Sequence, residues 1–147
     1  MHIVCILKKC YLHLLMQFNK KTNMQKFAFI IPPTVELLDL SGPAQVFTEA
    51  KVHGFEIGIE FYQFSEEPVS TAGLSFGKIG NFRAANLKEG DFVFVPGMDN
   101  EYVNSISFKA ERAFFNWLKE CSDKGITVCS ICTGAFALGH AGLLKDT

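Results

Sequence analysis

The sequence has no concentrated run of basic residues. Its 14 lysines and arginines are interspersed with 15 acids, for a formal net charge of -1. Phosphate contacts need a dense positive face, so direct nucleic-acid binding by this chain is not expected. The weak pairs Lys8-Lys9 and Lys20-Lys21 read as a solvated tail. No apolar run is long enough to span a bilayer. The short stretch Tyr11 to Met16 is not followed by the small-residue cleavage site of a signal peptide. The five cysteines are odd in number and irregular in spacing, which speaks against a disulfide scaffold. These absences predict a cytoplasmic protein without a membrane partner.

What is present is a globular composition. Of 147 residues, 48% are apolar and 20% charged, which suits one ordinary domain. Residues 1–23 lack clean periodicity and end in the polar run Asn19 to Asn23. They read as a disordered extension or an over-called start, with an amphipathic helix over Ile3 to Phe18 as the rival. Cys5 and Cys10 fall in this segment.

From residue 24 the chain alternates. Strands are expected over 26–31, 55–64, 92–95 and 126–131, the last two as continuous apolar runs suited to the inside of a parallel sheet. Ser41 is a candidate cap, with Pro43 in the first turn of a helix carrying Val46, Phe47 and Ala50 on its apolar stripe. Residues 68–82 read as a small hairpin. A second helix over 108–124 places Phe114, Leu118 and Cys121 on one stripe, with Phe115 beside it and Gly125 ending it. A third follows over 135–141. This order implies an α/β fold, an open, mostly parallel, flavodoxin-like sandwich with right-handed crossovers.

The informative stretch is Cys129-Ser130-Ile131-Cys132-Thr133-Gly134-Ala135. A buried strand ends, a cysteine follows, and a helix starts at once on small residues. That geometry puts the sulfur above the carboxyl edge of the sheet, where open α/β sheets bind ligands. Backbone N–H groups of Thr133 and Gly134 would favour negative charge there. This is the cysteine form of a nucleophile elbow. The plain alternative is a small buried cysteine at a strand end. Cys129 and Cys132 also form a C-x-x-C pair, but Cys129 lies within the strand and reads as a packed residue, as does Cys121 on its helical stripe.

Cys132-Thr133-Gly134-Ala135-Phe136-Ala137-Leu138 with Ala141-Gly142-Leu143-Leu144 resembles the ThiJ/PfpI (class I glutamine-amidotransferase-like) superfamily. So do Leu38-Asp39-Leu40-Ser41-Gly42-Pro43 and the strand ending in Pro96-Gly97. The resemblance covers residues 26–147 and is closest to the branch of isocyanide hydratases and AraC-type regulator N-terminal domains. It implies Cys132 as nucleophile, Asp39 facing it to hold a reactant or water, and Thr133 adding a hydroxyl. The N–H groups around Gly97, Met98, Thr133 and Gly134 would form an oxyanion or ligand-binding site. A carboxyl beside a thiolate tends to stay protonated; the alternative for Asp39 is a helix-start residue satisfying backbone N–H groups.

Two departures qualify the resemblance. The place directly after the cysteine, where some amidases and proteases of the superfamily carry a histidine base, is Thr133. His140 lies too far along its helix to reach Cys132 and reads as solvent-facing or a cap. Peptidase and amidotransferase chemistry are therefore not expected. Second, the family's domains continue past this motif, so the fold is expected to be incomplete at the C-terminus, with an exposed apolar edge. Three functions stay open: the ligand-sensing, dimerising half of an AraC-type regulator without its DNA-binding half, a cysteine-dependent hydratase, and an inactive fragment. The expected partner is a small molecule, with a homodimer if the domain is complete; no cofactor or metal is expected.

Overall fold

The computed structural model describes residues 24–65 and 67–144. The readings placed on residues 1–23, including Cys5, Cys10 and the amphipathic helix, lie outside the described residues.

The elements run in chain order: β1 (Gln25–Ile31), β2 (Thr34–Val35), α1 (Leu37–Val52), β3 (Ile57–Gln63), β4 (Val69–Ser70), β5 (Gly80–Asn81), β6 (Phe92–Val95), α2 (Asn100–Asn104), α3 (Ile106–Lys109), α4 (Arg112–Asp123), β7 (Thr127–Ser130) and α5 (Ala135–His140). A five-stranded sheet has the order β5-β3-β1-β6-β7, and all its pairings are parallel. The four expected strands form in this sheet. It is the open, flavodoxin-like α/β arrangement, with the strand order reversing between β1 and β6.

β1 is central and apolar on both sides. Phe27, Phe29 and Ile31 join one core with Phe92, Phe94 and Leu40, on the α1 side. Ala28 and Ile30 join the other with Val93, Val95, Phe114 and Leu118, on the α4 side. Phe47 of α1 stacks on Phe27 with centroids 4.6 Å apart. A buried carboxylate ties the strand starts together: Asp91 accepts from the N–H groups of Lys26 at 2.9 Å and Lys88 at 2.8 Å.

Three sequence expectations are corrected. First, α1 begins at Leu37, not after Ser41, because the Glu36 carbonyl accepts from the N–H groups of Asp39 and Leu40. Pro43 therefore lies inside the helix, where its missing N–H leaves the Asp39 carbonyl out of the ladder. Ser41 Oγ donates back to the Leu37 carbonyl and Val46 is 57% exposed, so neither cap nor stripe is as expected there. Second, residues 68–82 make no hairpin. β4 pairs in parallel with β2, and β5 pairs in parallel with β3; within this segment an isolated bridge from Val69 to Ser75 is antiparallel. Each short segment pairs with the edge of another strand and not with its neighbour in the chain. Third, the helix expected over 108–124 is broken, with Phe108 in α3 and the stripe beginning in α4. The break lets Phe108 and Phe114 approach Phe64 separately, at 6.2 and 4.1 Å between centroids.

Candidate functional site

The site gathers at the carboxyl ends of β1, β6 and β7, over the point where the strand order reverses. Strand β7 is tied to β6 up to its end, where the Ile131 N–H donates to the Val95 carbonyl at 3.0 Å. The chain then turns through a 3-10 segment, Cys132–Gly134, into α5. Cys132 has φ 51 and is the single non-glycine residue with positive φ among those described. A side chain in this left-handed region is strained by roughly 1 kcal/mol or more. The turn holds because it is packed tightly: a Cβ on Gly134 would strike the Val95 carbonyl oxygen and lie 2.9 Å from that of Pro96.

Cys132 is exposed, whereas Cys121 and Cys129 are buried. Facing Cys132 is Asp39, carried by the first turn of α1. Gly97 makes the meeting feasible, since a Cβ there would collide with Asp39 Oδ2 and press on Cys132 Cβ at 3.2 Å. Asp39 Oδ2 is shut off from solvent with no hydrogen-bond partner. Burial pushes the Asp39 carboxyl above its ordinary 3.8; Glu36 adds to the rise, while the Cys132 side chain and Gly97 backbone oppose it. Neither of those two neighbours is a hydrogen-bond partner of Oδ2.

The hydroxyl of Thr133 is engaged both as donor and as acceptor. It donates to the Met98 carbonyl at 2.7 Å and accepts from the Met98 N–H at 2.8 Å. The Gly134 N–H donates to the Ile131 carbonyl at 3.0 Å. Of the residues expected to present oxyanion donors, Met98 and Gly134 thus have their N–H groups committed within the protein, and the Gly97 backbone faces Asp39. His140 is exposed, stacked on Phe115 with centroids 5.0 Å apart, and does not line the cleft.

The cleft has a volume of about 450 Å³ and is walled by Glu36, Leu38, Asp39, Thr71, Asn100 and Cys132, among others. Sequence reasoning missed Glu36, Thr71 and Asn100. Glu36 lies one helical turn before Asp39, and that i, i+3 spacing could have flagged it. Nothing in the chain pointed to Thr71, which arrives through the parallel pairing of β4 with β2. Among the described residues, no group of three or more His, Cys, Asp or Glu is arranged to hold a metal ion. Nor is any helix among them long and apolar enough to cross a membrane.

The geometry defines an open parallel α/β domain with an exposed cysteine at a strained strand-to-helix turn, opposite a carboxyl. The DJ-1/PfpI family pattern matches residues 25–147, and the chain belongs to that family. An uncharacterised protein in the cpoL 5′ region of Streptomyces lividans is 36% identical over 112 residues, 76% of this chain and 75% of that one. A ThiJ/PfpI family protein from Pseudomonas syringae has the same fold, with TM-score 0.65 and 22% identity over 84% of this chain and 48% of that one. An AraC family transcriptional regulator from Pseudomonas putida also shares it, with TM-score 0.67 and 21% identity over 83% of this chain and 62% of that one. The chain therefore spans about half to under two thirds of the length of these two solved proteins.

Proposed function

We propose that the chain is a small-molecule-sensing domain of the type found N-terminal in AraC-type regulators, working with a DNA-binding unit outside these residues. The observation that carries this reading is the cleft at the strand-order reversal. It offers an exposed thiol and a carboxyl whose pKa burial raises, with one buried oxygen unpartnered. Among the described residues no histidine lines it to serve as a general base, so recognition is better supported than acyl transfer. The fold likeness to the Pseudomonas putida regulator supports the regulatory assignment, and the Leu38 to Pro43 signature fits the branch that holds regulators and hydratases alike.

A second reading is favoured by one feature, the positive φ of Cys132, because strain at a nucleophile is a common accompaniment of catalysis. Here the chain hydrates an isocyanide. The Cys132 sulfur, as its thiolate, bonds to the terminal carbon, which takes one proton to give a thioformimidate. Water adds across the carbon–nitrogen double bond, leaving hydroxyl on carbon and hydrogen on nitrogen. The carbon–sulfur bond then breaks, the hydroxyl proton is released, and the formamide departs. The Thr133 hydroxyl gives its proton to the Met98 carbonyl and can meet water only as an acceptor, so Asp39 is the group that can position water through a carboxyl.

Two measurements decide. The reading frame beyond Thr147 should encode two helix-turn-helix units if the chain senses for a regulator; a stop soon after the sheet is completed points to the enzyme. Incubation with cyclohexyl isocyanide should give no catalytic formamide if the chain is a sensor. Multiple turnovers that vanish in Cys132→Ala would overturn the sensor reading.

A further inference from the structure

Among the described residues, the cleft holds Glu36, Asp39 and Cys132 but no lysine, arginine or histidine. An anion entering it would meet carboxyls and find no cation to pair with, and an unpaired charge leaving water is strongly disfavoured. Asp39 Oδ2 is shut off from solvent, so Glu36 is the carboxyl at the cleft wall that an entering ligand can meet directly.

Glu36 is held for that role. It is the N-cap residue of α1, yet its side chain makes no capping bond. Instead its Oε2 accepts from Thr71 Oγ1 at 3.0 Å. Its backbone N–H donates to the Gly97 carbonyl at 2.9 Å, in the loop that packs on Cys132. The residue is thus fastened on one side to the turn after β4 and on the other to the loop after β6. Thr71 occupies only part of the carboxylate's accepting capacity, which leaves sites for a ligand's donors. A tethered charge at the wall of a cleft acts on everything that enters.

We propose that Glu36, tethered by Thr71, is the charge selector of the cleft: ligands with a cationic or N–H-bearing end are admitted, and carboxylates and phosphates are turned away. This rests on the reading of the cleft as a small-molecule site.

Three thiol reagents test it on the full chain: neutral methyl methanethiosulfonate, its cationic 2-(trimethylammonium)ethyl analogue and its anionic 2-sulfonatoethyl analogue. The rate of modification is read at the Cys132 peptide by mass spectrometry. Glu36→Gln is expected to lower the cation-to-anion rate ratio by about ten-fold at low salt, with a smaller effect at high salt. Intrinsic differences between the reagents cancel in the comparison of variants. Thr71→Val keeps the charge and removes its tether, so a smaller reduction is expected. Labelling of Cys121 and Cys129 would reveal unfolding of Glu36→Gln, in which case Thr71→Val decides. An unchanged ratio, with neutral labelling of Cys132 intact, overturns the selector and leaves the cleft. Failure of even the neutral reagent to reach Cys132 overturns both the selector and the small-molecule reading.

Discussion

Thr133 closes a ring on Met98: one hydroxyl satisfies both the N–H and the carbonyl of the same residue, at 2.8 and 2.7 Å. The ring joins the turn after β7 to the loop after β6. Met98 is only 1% exposed, so neither backbone group has water as an alternative. Thr133→Val preserves shape and orphans both groups, a loss of roughly 2–4 kcal/mol. Thr133→Ser should stay close to the parent. Urea unfolding checks this, and a Thr133→Val protein as stable as the parent would show that the ring does not hold the site.

The strain at Cys132 can be read by removing the sulfur in two ways. Glycine tolerates φ 51, whereas alanine does not. Cys132→Gly should therefore be more stable than Cys132→Ala by about 1 kcal/mol, despite glycine's greater freedom in the unfolded chain. Equal midpoints in thermal unfolding would show that the turn relaxes without difficulty. In the parent, brief iodoacetamide treatment should modify Cys132 well ahead of Cys121 and Cys129, each 4% exposed. Burial pushes the Cys121 thiol up to about 11, which slows it further.

Asp39 makes stability depend on pH. Its folded carboxyl titrates above its ordinary 3.8, chiefly through burial. Below 3.8 both folded and unfolded chains are protonated and no difference arises. As pH rises past 3.8 and through the raised value, the unfolded chain gives up its proton first, and folding loses stability. An amide in place of the carboxyl cannot ionise. Asp39→Asn should therefore raise Tm by more at pH 7 than at pH 4, which thermal unfolding at the two pH values checks. A gap of the opposite sign would mean that the ionised carboxylate is the better-held form.

Gly97→Ala should damage the site more than the fold. The new Cβ meets Asp39 Oδ2 and Cys132 Cβ together, so either α1 shifts outward or the Asp39 side chain leaves the cleft. Overpacking of this kind amounts to about 1–3 kcal/mol. The iodoacetamide rate of Cys132 should change along with the unfolding midpoint; a variant unchanged in both would mean that the loop yields freely.

The central strands were legible because a strand covered on both faces must be apolar throughout. Residues 27–31 and 92–95 satisfy that condition with no help from the rest of the chain. Cys132 was legible because a strand, a cysteine and small helix-starting residues follow one another directly. The start of α1 was not: Pro43 is usually a first-turn residue, and only the Glu36 carbonyl, tied in place beside Gly97, shows that helix to begin earlier. The hairpin reading failed for a related reason, since short segments pair with whichever strand edge lies nearest, and that is settled by the assembled sheet.

Local pattern by itself determined the four longer strands, that they lie parallel, and where the exposed cysteine lies, because each follows from side-chain burial over a few adjacent residues. Tertiary structure alone decided what surrounds that cysteine. The Asp39 carboxyl loses solvent, the Thr133 hydroxyl is spent on Met98, and Thr71 reaches Glu36 from a strand paired 35 residues away. Each depends on groups distant in the chain being brought within bonding distance, and no local periodicity encodes that.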